Sequence, residues 1–492
     1  MSIQIHRNKL TEQQIAIIRK LLYIIPKKDF NAFSRGKYWS QKQKEDMVSE
    51  PVNMYKIIKP TDNDNDYYIN LPYFFARKLL NINIPNYHPD THYKFTKSLY
   101  ESQLQVTQDA VNQLFSLGTT TLNLYTGSGK TVVSAYLASL TKKLTLVLYT
   151  NTILEKQWYS TFKDFTTARI WIIDRNNPPP PEGAHVILCM NTRVGWLNKE
   201  YLKNVGTVIY DEVHTFCTPG RVNCMLDITP KYIIAASATL TRSDNMNQMV
   251  TAMCGDHIVR KISTKPFIVY KYNTGIDIEI KLTKQGTPDW SKITLDQANS
   301  PERNNLILHL IKNNMNKKIL VLTWRSDTHA VPLAKWLQQC GVNCDYMAGS
   351  KKTYNDSHVL VGTIKKIGTG FDEKAACDDF QGMRINMLLI VGSTKSVELL
   401  EQIAGRAFRS EFPQIVHFVD NCTISENHWK KARPWYKSRN GTIQEINSPY
   451  FIQRNNIEPI FKPTYHMDVS PKNISQLQIA QYKERMSTKN TP

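Results

Sequence analysis

The sequence predicts an α/β fold built as two tandem parallel sheets, each flanked by helices, and three observations carry that prediction. Apolar strands alternate with amphipathic helices in two successive series, one from Tyr100 to about Pro266 and one after Pro301. A glycine-rich turn ending in Lys130-Thr131 separates a predicted strand from a predicted helix in the first series. The chain has 492 residues, too many for one compact core, so two or three domains are expected.

Residues 1–95, rich in Lys, Tyr and Asn, are expected to be an N-terminal accessory domain. Thr11 and Gln14 read as a capping box opening a helix, in which Ile15, Ile18, Leu21 and Leu22 recur at helical spacing before Pro26. Asp62, Asp64 and Asp66 have the spacing of a calcium loop, but Tyr67 stands at its glycine position and Tyr73 at its bidentate acid position. That segment reads as a turn between two strands. Residues 96–270 are expected to form the first α/β domain, with strands at 122–125, 144–149, 168–173, 185–190, 205–210 and 232–236. Short buried strands at such spacing indicate βαβ units around a parallel sheet. The proline run before Gly183 marks a surface loop. Residues 271–300 read as a polar hinge. Residues 301–420 form the second domain, with strands at 319–323, 358–362, 387–391 and 415–419, and 421–492 a basic C-terminal extension.

Composition narrows the partners. Lys and Arg number 62 against 42 Asp and Glu, a net charge of +20 with a pI near 9.4. Such a surface favours polyanions, nucleic acid first and an anionic membrane second. No apolar run reaches the ~18 residues a membrane span needs, and no apolar signal segment follows Met1, so a soluble intracellular protein is expected. Eight scattered cysteines lack zinc-like pairing and read as thiols in a reducing compartment.

The chemistry begins at Thr126-Gly127-Ser128-Gly129-Lys130-Thr131. Glycines let the backbone curl so that N–H groups at a helix N-terminus point at phosphates. Lys130 reaches the β- and γ-phosphates and the Thr131 hydroxyl ligates Mg²⁺. The segment Val208-Ile209-Tyr210-Asp211-Glu212-Val213-His214 then puts two carboxylates at the C-terminal end of a strand, where parallel sheets bind ligands. Asp211 holds Mg²⁺ through water, and Glu212 orients and deprotonates the attacking water. ATP and Mg²⁺ are the cofactors this pattern expects.

Asp211-Glu212-Val213-His214, Ser237-Ala238-Thr239 and Gln402-Ile403-Ala404-Gly405-Arg406-Ala407-Phe408-Arg409 resemble the signature motifs of superfamily 2 helicases, in order and context. Thr150 to Trp158 resembles motif Ia, with Thr150 in place of a usual proline. Val359 to Thr363, continuing through Gly368-Thr369-Gly370-Phe371-Asp372, resembles motif V. The resemblance covers about residues 99–420 and implies two RecA-like P-loop domains with an ATP cleft between them. It also implies Arg409 as the transition-state finger, Arg406 beside it on the phosphates, and Gly370, Asp372 and Gln402 as nucleotide contacts. His214, Ser237 and Thr239 take the coupling role, and Gln103 the reading of adenine. The spellings are most similar to the poxvirus transcript-release helicases and their relatives in other large DNA viruses. The implied function is an ATP-dependent, DNA-directed helicase or translocase serving viral transcription, partnered by transcription machinery, in host cytoplasm and virion. An RNA helicase, the motor of a repair, recombination or restriction complex, and a non-catalytic regulator stay open beside it.

Between Asn427 and Gln444 there is no acid, while Lys430, Lys431 and Arg433 interleave with Trp429 and Trp435. Cations for phosphates and aromatics for bases suit single-strand tracking. An amphipathic helix docking its aromatics on the second domain explains the same residues.

Overall fold

The computed structural model describes residues 1–26, 51–59, 66–81, 87–125, 127–174, 182–237, 246–263, 265–283, 286–368 and 371–454. The chain divides into two compact units, Met1–Leu124 with Ser128–Lys261, and Ile262–Pro492 with Tyr125–Gly127.

The N-terminal part of the first unit supplies β1 (Ser2–His6), β2 (Tyr23–Ile24), β3 (Val52–Asn53), β4 (Lys56–Ile58) and β5 (Tyr68–Pro72). β1, β5 and β4 make a three-stranded antiparallel sheet. The capping box is present: Gln14 N–H donates to Thr11 Oγ1 at 3.2 Å, and Thr11 N–H to Gln14 Oε1 at 2.9 Å. It opens the helix Glu12–Leu21. β4 and β5, on either side of the Asp62–Asp64 segment, pair antiparallel; residues 60–65 themselves lie outside the described residues.

The first large sheet comprises β6 (Thr119–Leu124), β7 (Thr145–Tyr149), β8 (Ile170–Ile172), β9 (Val186–Met190), β10 (Thr207–Asp211), β11 (Tyr232–Ala236) and β12 (Val259–Lys261). All seven strands are parallel, in the order β12-β6-β11-β10-β7-β9-β8. Period-two alternation divides their side chains between two cores. Leu122, Val147, Ile209 and Ile234 face one, while Leu146, Val208, Tyr210 and Ile233 face the other. That second core also holds Met1, Ile3, Ile5, Leu71 and Tyr73, so β1 and the residues around β5 share a core with the first sheet. Polar contacts reinforce the docking: Ser2 Oγ and Asn70 Nδ2 donate to Leu226 O at 2.6 and 2.9 Å.

The second sheet comprises β13 (Phe267–Asp277), β14 (Ile319–Thr323), β15 (Cys344–Met347), β16 (Val359–Thr363), β17 (Met387–Ile390), β18 (Gln414–Asn421) and β19 (Gly441–Asn447). Its order is β15-β16-β14-β17-β18-β13-β19, again all parallel. Two expectations need correction here. The hinge placed at 271–300 is mostly regular structure: β13 runs through 277 between β18 and β19, and a helix capped by Asp289 spans Trp290–Asn299. The extension placed after 420 is part of the second unit, since the helix Thr423–Ser438 packs on β18 and β19 closes the sheet edge. Residues 455–492 of that extension lie outside the described residues.

Within the second unit Arg303 and Asp420 form an ion pair at 2.8 Å, each 1% exposed. Gln297 Nε2 and Thr274 Oγ1 also donate to the Asp420 carboxylate, at 2.8 and 2.9 Å. Breaking a buried pair strands the other charge. Asp420→Ala should therefore lower unfolding free energy by about 3–5 kcal/mol, measured by urea denaturation. A change below ~1 kcal/mol would show that water reaches the guanidinium.

Among the described residues no helix is long and apolar enough to cross a membrane. None of the cysteines is joined in a disulfide.

Candidate nucleotide site

β6 ends at Leu124 and the helix Lys130–Thr141 begins after five intervening residues, past the glycine-rich segment. Gly127 and Gly129 have φ of 89° and 84°, a region costly for any residue with a Cβ. At Gly129 a Cβ would also lie 2.1 Å from Gln103 Nε2. Lys130 Nζ lies back over the strand end, 3.0 Å from Leu124 O. Thr126, in the middle of the turn, lies outside the described residues.

Gln103 caps the helix Glu101–Leu117, its Oε1 accepting from Tyr100 N–H at 3.0 Å. Its Nε2 donates to Ser128 O at 3.1 Å, which ties this helix to the glycine-rich turn. With both ends of the amide engaged and the residue 5% exposed, Gln103 is placed as a tether of the turn. These partners occupy one N–H and one lone pair of the amide.

Asp211 and Glu212 stand at the C-terminal end of β10, as expected. Glu212 adopts φ 56°, ψ 57°, a left-handed conformation costly for a residue with a Cβ. That bend lets the chain leave the strand, and Glu212 O accepts from both the N–H and the hydroxyl of Thr215 at 2.8 Å. Neighbouring β11 delivers Ser237, whose Oγ donates to Glu212 Oε2 at 3.0 Å. Ser237 therefore touches the carboxylate directly. His214 lies in a one-turn helix, Val213–Thr215, but its side chain and all of Thr239 lie outside the described residues.

Asp211 is buried, and burial together with the adjacent charge of Glu212 pushes its carboxyl above the usual carboxylate range. The indole N–H of Trp158 and the charge of Lys130 act the other way, favouring the carboxylate. Trp158 Nε1 donates to Asp211 Oδ2 at 2.9 Å, and Gln157 Nε2 to Thr131 Oγ1 at 3.0 Å. Both donors lie on the helix Thr152–Phe165, which Asn151 caps through the N–H groups of Ile153 and Leu154, each at 3.0 Å. The sequence alone places this Gln-Trp pair in motif Ia and gives it no task.

Among the described residues no group of three or more His, Cys, Asp or Glu is arranged to hold a metal by itself. One hydroxyl and one carboxylate are the donors expected for Mg²⁺, which keeps several waters and shares its coordination with phosphates. Thr131 and Asp211 supply that set.

In the second unit the helix Val397–Ala407 carries half-buried Gln402 and buried Arg406. Arg406 donates to three carbonyls of the preceding loop: Ile367 O at 3.1 Å, Gly368 O at 2.8 Å and Phe371 O at 2.7 Å. The guanidinium is thereby held among these three carbonyls. Arg409 makes an ion pair with Asp372 at 2.8 Å. Burial pushes the Asp372 carboxyl up, but the charge of Arg409 and the Ala375 N–H outweigh it and hold it below the usual range. Gly370 lies outside the described residues.

The tail residues separate by helix face. Trp429 and Trp435 are buried with Tyr436 against the second sheet, whereas Lys430, Lys431 and Arg433 are exposed. The tryptophans are thus unavailable for base stacking, which corrects that half of the tracking expectation. The cations remain open to phosphates.

Residues 96–242 match the family described as type III restriction enzyme, res subunit. Protein 161L of Invertebrate iridescent virus 6, whose name calls it a helicase, is 27% identical over 407 residues, covering 75% of this chain and 88% of its own. Protein 055L of Frog virus 3 (isolate Goorha), named likewise, is 26% identical over 385 residues, covering 76% and 86%. The chain is thus similar, over most of its length, to proteins of large DNA viruses whose names call them helicases. It is also similar to the transcript termination protein A18 of Yaba-like disease virus, 23% identical over 362 residues, covering 67% of this chain and 71% of A18.

Proposed function

We propose that this chain is a helicase that hydrolyses ATP at the P-loop and the Asp211-Glu212 pair, and uses the cycle to move along DNA in viral transcript release. The observation that carries the reading is that neighbouring side chains of one helix, Gln157 and Trp158, bond Thr131 and Asp211, with the charge of Lys130 acting on the same carboxylate as Trp158. Thr131 and Asp211 stand 80 positions apart in sequence, and this reading makes them the ligands of a phosphate-bound cation. Bound Mg²⁺ neutralises phosphate charge there, held by Thr131 and Asp211. Lys130 and the N–H groups around Gly127–Gly129 orient the phosphates. Glu212, steadied by Ser237, aligns a water and takes its proton. Arg409, paired with Asp372 at 2.8 Å, is the residue to which this reading assigns the transition-state charge.

DNA as the track is favoured by the Asp-Glu-Val-His spelling and by likeness to viral helicases and to A18, a transcript termination protein. Transcription machinery in the host cytoplasm is the partner this reading expects. The basic surface, +20 overall, provides sequence-independent grip on phosphates.

The test is steady-state ATP hydrolysis at moderate salt with no polymer, single-stranded DNA, duplex DNA and single-stranded RNA, using Glu212→Gln as the blank. Stimulation by DNA and not RNA is expected. Stimulation by RNA alone would move the helicase to RNA metabolism, and indifference to every polymer would remove translocation.

A further inference from the structure

Consecutive residues on one helix reach both proposed cation ligands. Side chains one residue apart on a helix diverge by about 100°. From the helix Thr152–Phe165, Gln157 meets the hydroxyl of Thr131 on the neighbouring P-loop helix. Trp158 meets Asp211 at the end of β10. Trp158 is 1% exposed and stacks on Phe162 with ring centroids 6.0 Å apart. A purely apolar ring would fill that space without an N–H that must find an acceptor. Here the acceptor is a buried carboxylate at the reaction centre.

We propose that Gln157 and Trp158 are positioning residues that set the geometry of the Mg²⁺ site, and with it how tightly the cation binds alongside nucleotide. The proposal rests on the ATP-site reading above. A threonine hydroxyl has one proton and two lone pairs. The Gln157 amide occupies one lone pair, which turns the other toward a cation and sends the proton elsewhere. The indole N–H occupies Asp211 Oδ2, which fixes the plane of the carboxylate. Both donors are neutral, so they orient the ligands without cancelling the negative charge that attracts the metal. A lysine or arginine in either place would compete with the cation. One rigid helix thereby sets the spacing between two ligands drawn from separate motifs.

The experiment is binding of a fluorescent ADP analogue, mant-ADP, to the full chain across a Mg²⁺ titration and in EDTA. Gln157→Leu and Trp158→Phe each remove one donor. Each is expected to raise the Mg²⁺ concentration for half-maximal tightening by about tenfold or more, the usual consequence of losing an outer-shell partner. Binding in EDTA should stay at the native level, and turnover should recover partly at high Mg²⁺. A merely structural role would lower the melting temperature without moving the Mg²⁺ midpoint, and that result overturns the proposal. If Trp158→Phe fails to fold, half-buried Gln157 decides the matter alone. If the native chain shows no Mg²⁺-dependent tightening, the ATP-site reading falls first and this proposal with it.

Discussion

Replacing Lys130 with alanine is expected to abolish ATP turnover, read as phosphate release with single-stranded DNA present. Phosphoryl transfer leaves the protein little covalent work, so rate comes from placing charge around the phosphates. Lys130 is the cation at the first turn of the P-loop helix, held 3.0 Å from Leu124 O and acting on Asp211. Its removal should leave the fold intact, because the turn rests on backbone bonds such as Val133 N–H to Gly129 O at 3.0 Å. Thermal melting of Lys130→Ala should therefore stay near the native curve. Lys130→Arg is expected to restore little, since a planar fork cannot occupy the place of a compact ammonium. Turnover that survives Lys130→Ala unchanged would remove the P-loop assignment, whatever the family likeness.

The strands were legible wherever parallel pairing buries both faces. Tyr232–Ala236 and Ile319–Thr323 are unbroken apolar runs, and the structure has strands with those bounds. β13 was hidden for the opposite reason. Lys271 and Asn273 interrupt its run, and only pairing with β18 and β19, more than a hundred residues later, makes the segment a strand. The hinge was drawn inside it because local polarity cannot report a distant partner.

The order of the chemical residues was legible; which atom each one touches was not. A guanidinium on a motif helix reads the same whether it faces a phosphate or three carbonyls, and Arg406 faces carbonyls. Gln103 was singled out for an amide that suits adenine, but the structure gives that amide to Tyr100 and Ser128. The tail held a readable answer in its phase. Ser425, His428, Trp429, Ala432, Trp435 and Tyr436 fall on one buried face at helical spacing, with Lys430, Lys431 and Arg433 off it. Composition suggested stacking, and periodicity would have favoured docking. Gln157 and Trp158 carried no signal of their own, because a motif position says nothing of what its side chain bonds.

Arg409→Ala is expected to cut turnover by ~10³ or more while ATP binding stays near native, the pattern of a transition-state arginine. The structure separates this residue from its neighbour on the same motif. Arg406 is buried and bonded to the loop, so Arg406→Ala should lower the melting temperature along with turnover. Arg409 pairs with a single carboxylate, Asp372, and stays partly exposed, so its loss should leave melting almost unchanged. Mant-ADP binding, phosphate release and thermal melting on the two variants distinguish three cases. Loss of turnover alone identifies a group that acts only when charge develops. Loss of binding in step with turnover would make Arg409 a ground-state ligand of the nucleotide. Loss of melting temperature at Arg409 would make the Asp372 pair structural, leaving the transition-state charge to come from another residue. Arg409→Lys sharpens the choice: it keeps the charge but loses the fork, so it should restore only a small part of the rate if two phosphate oxygens are gripped at once.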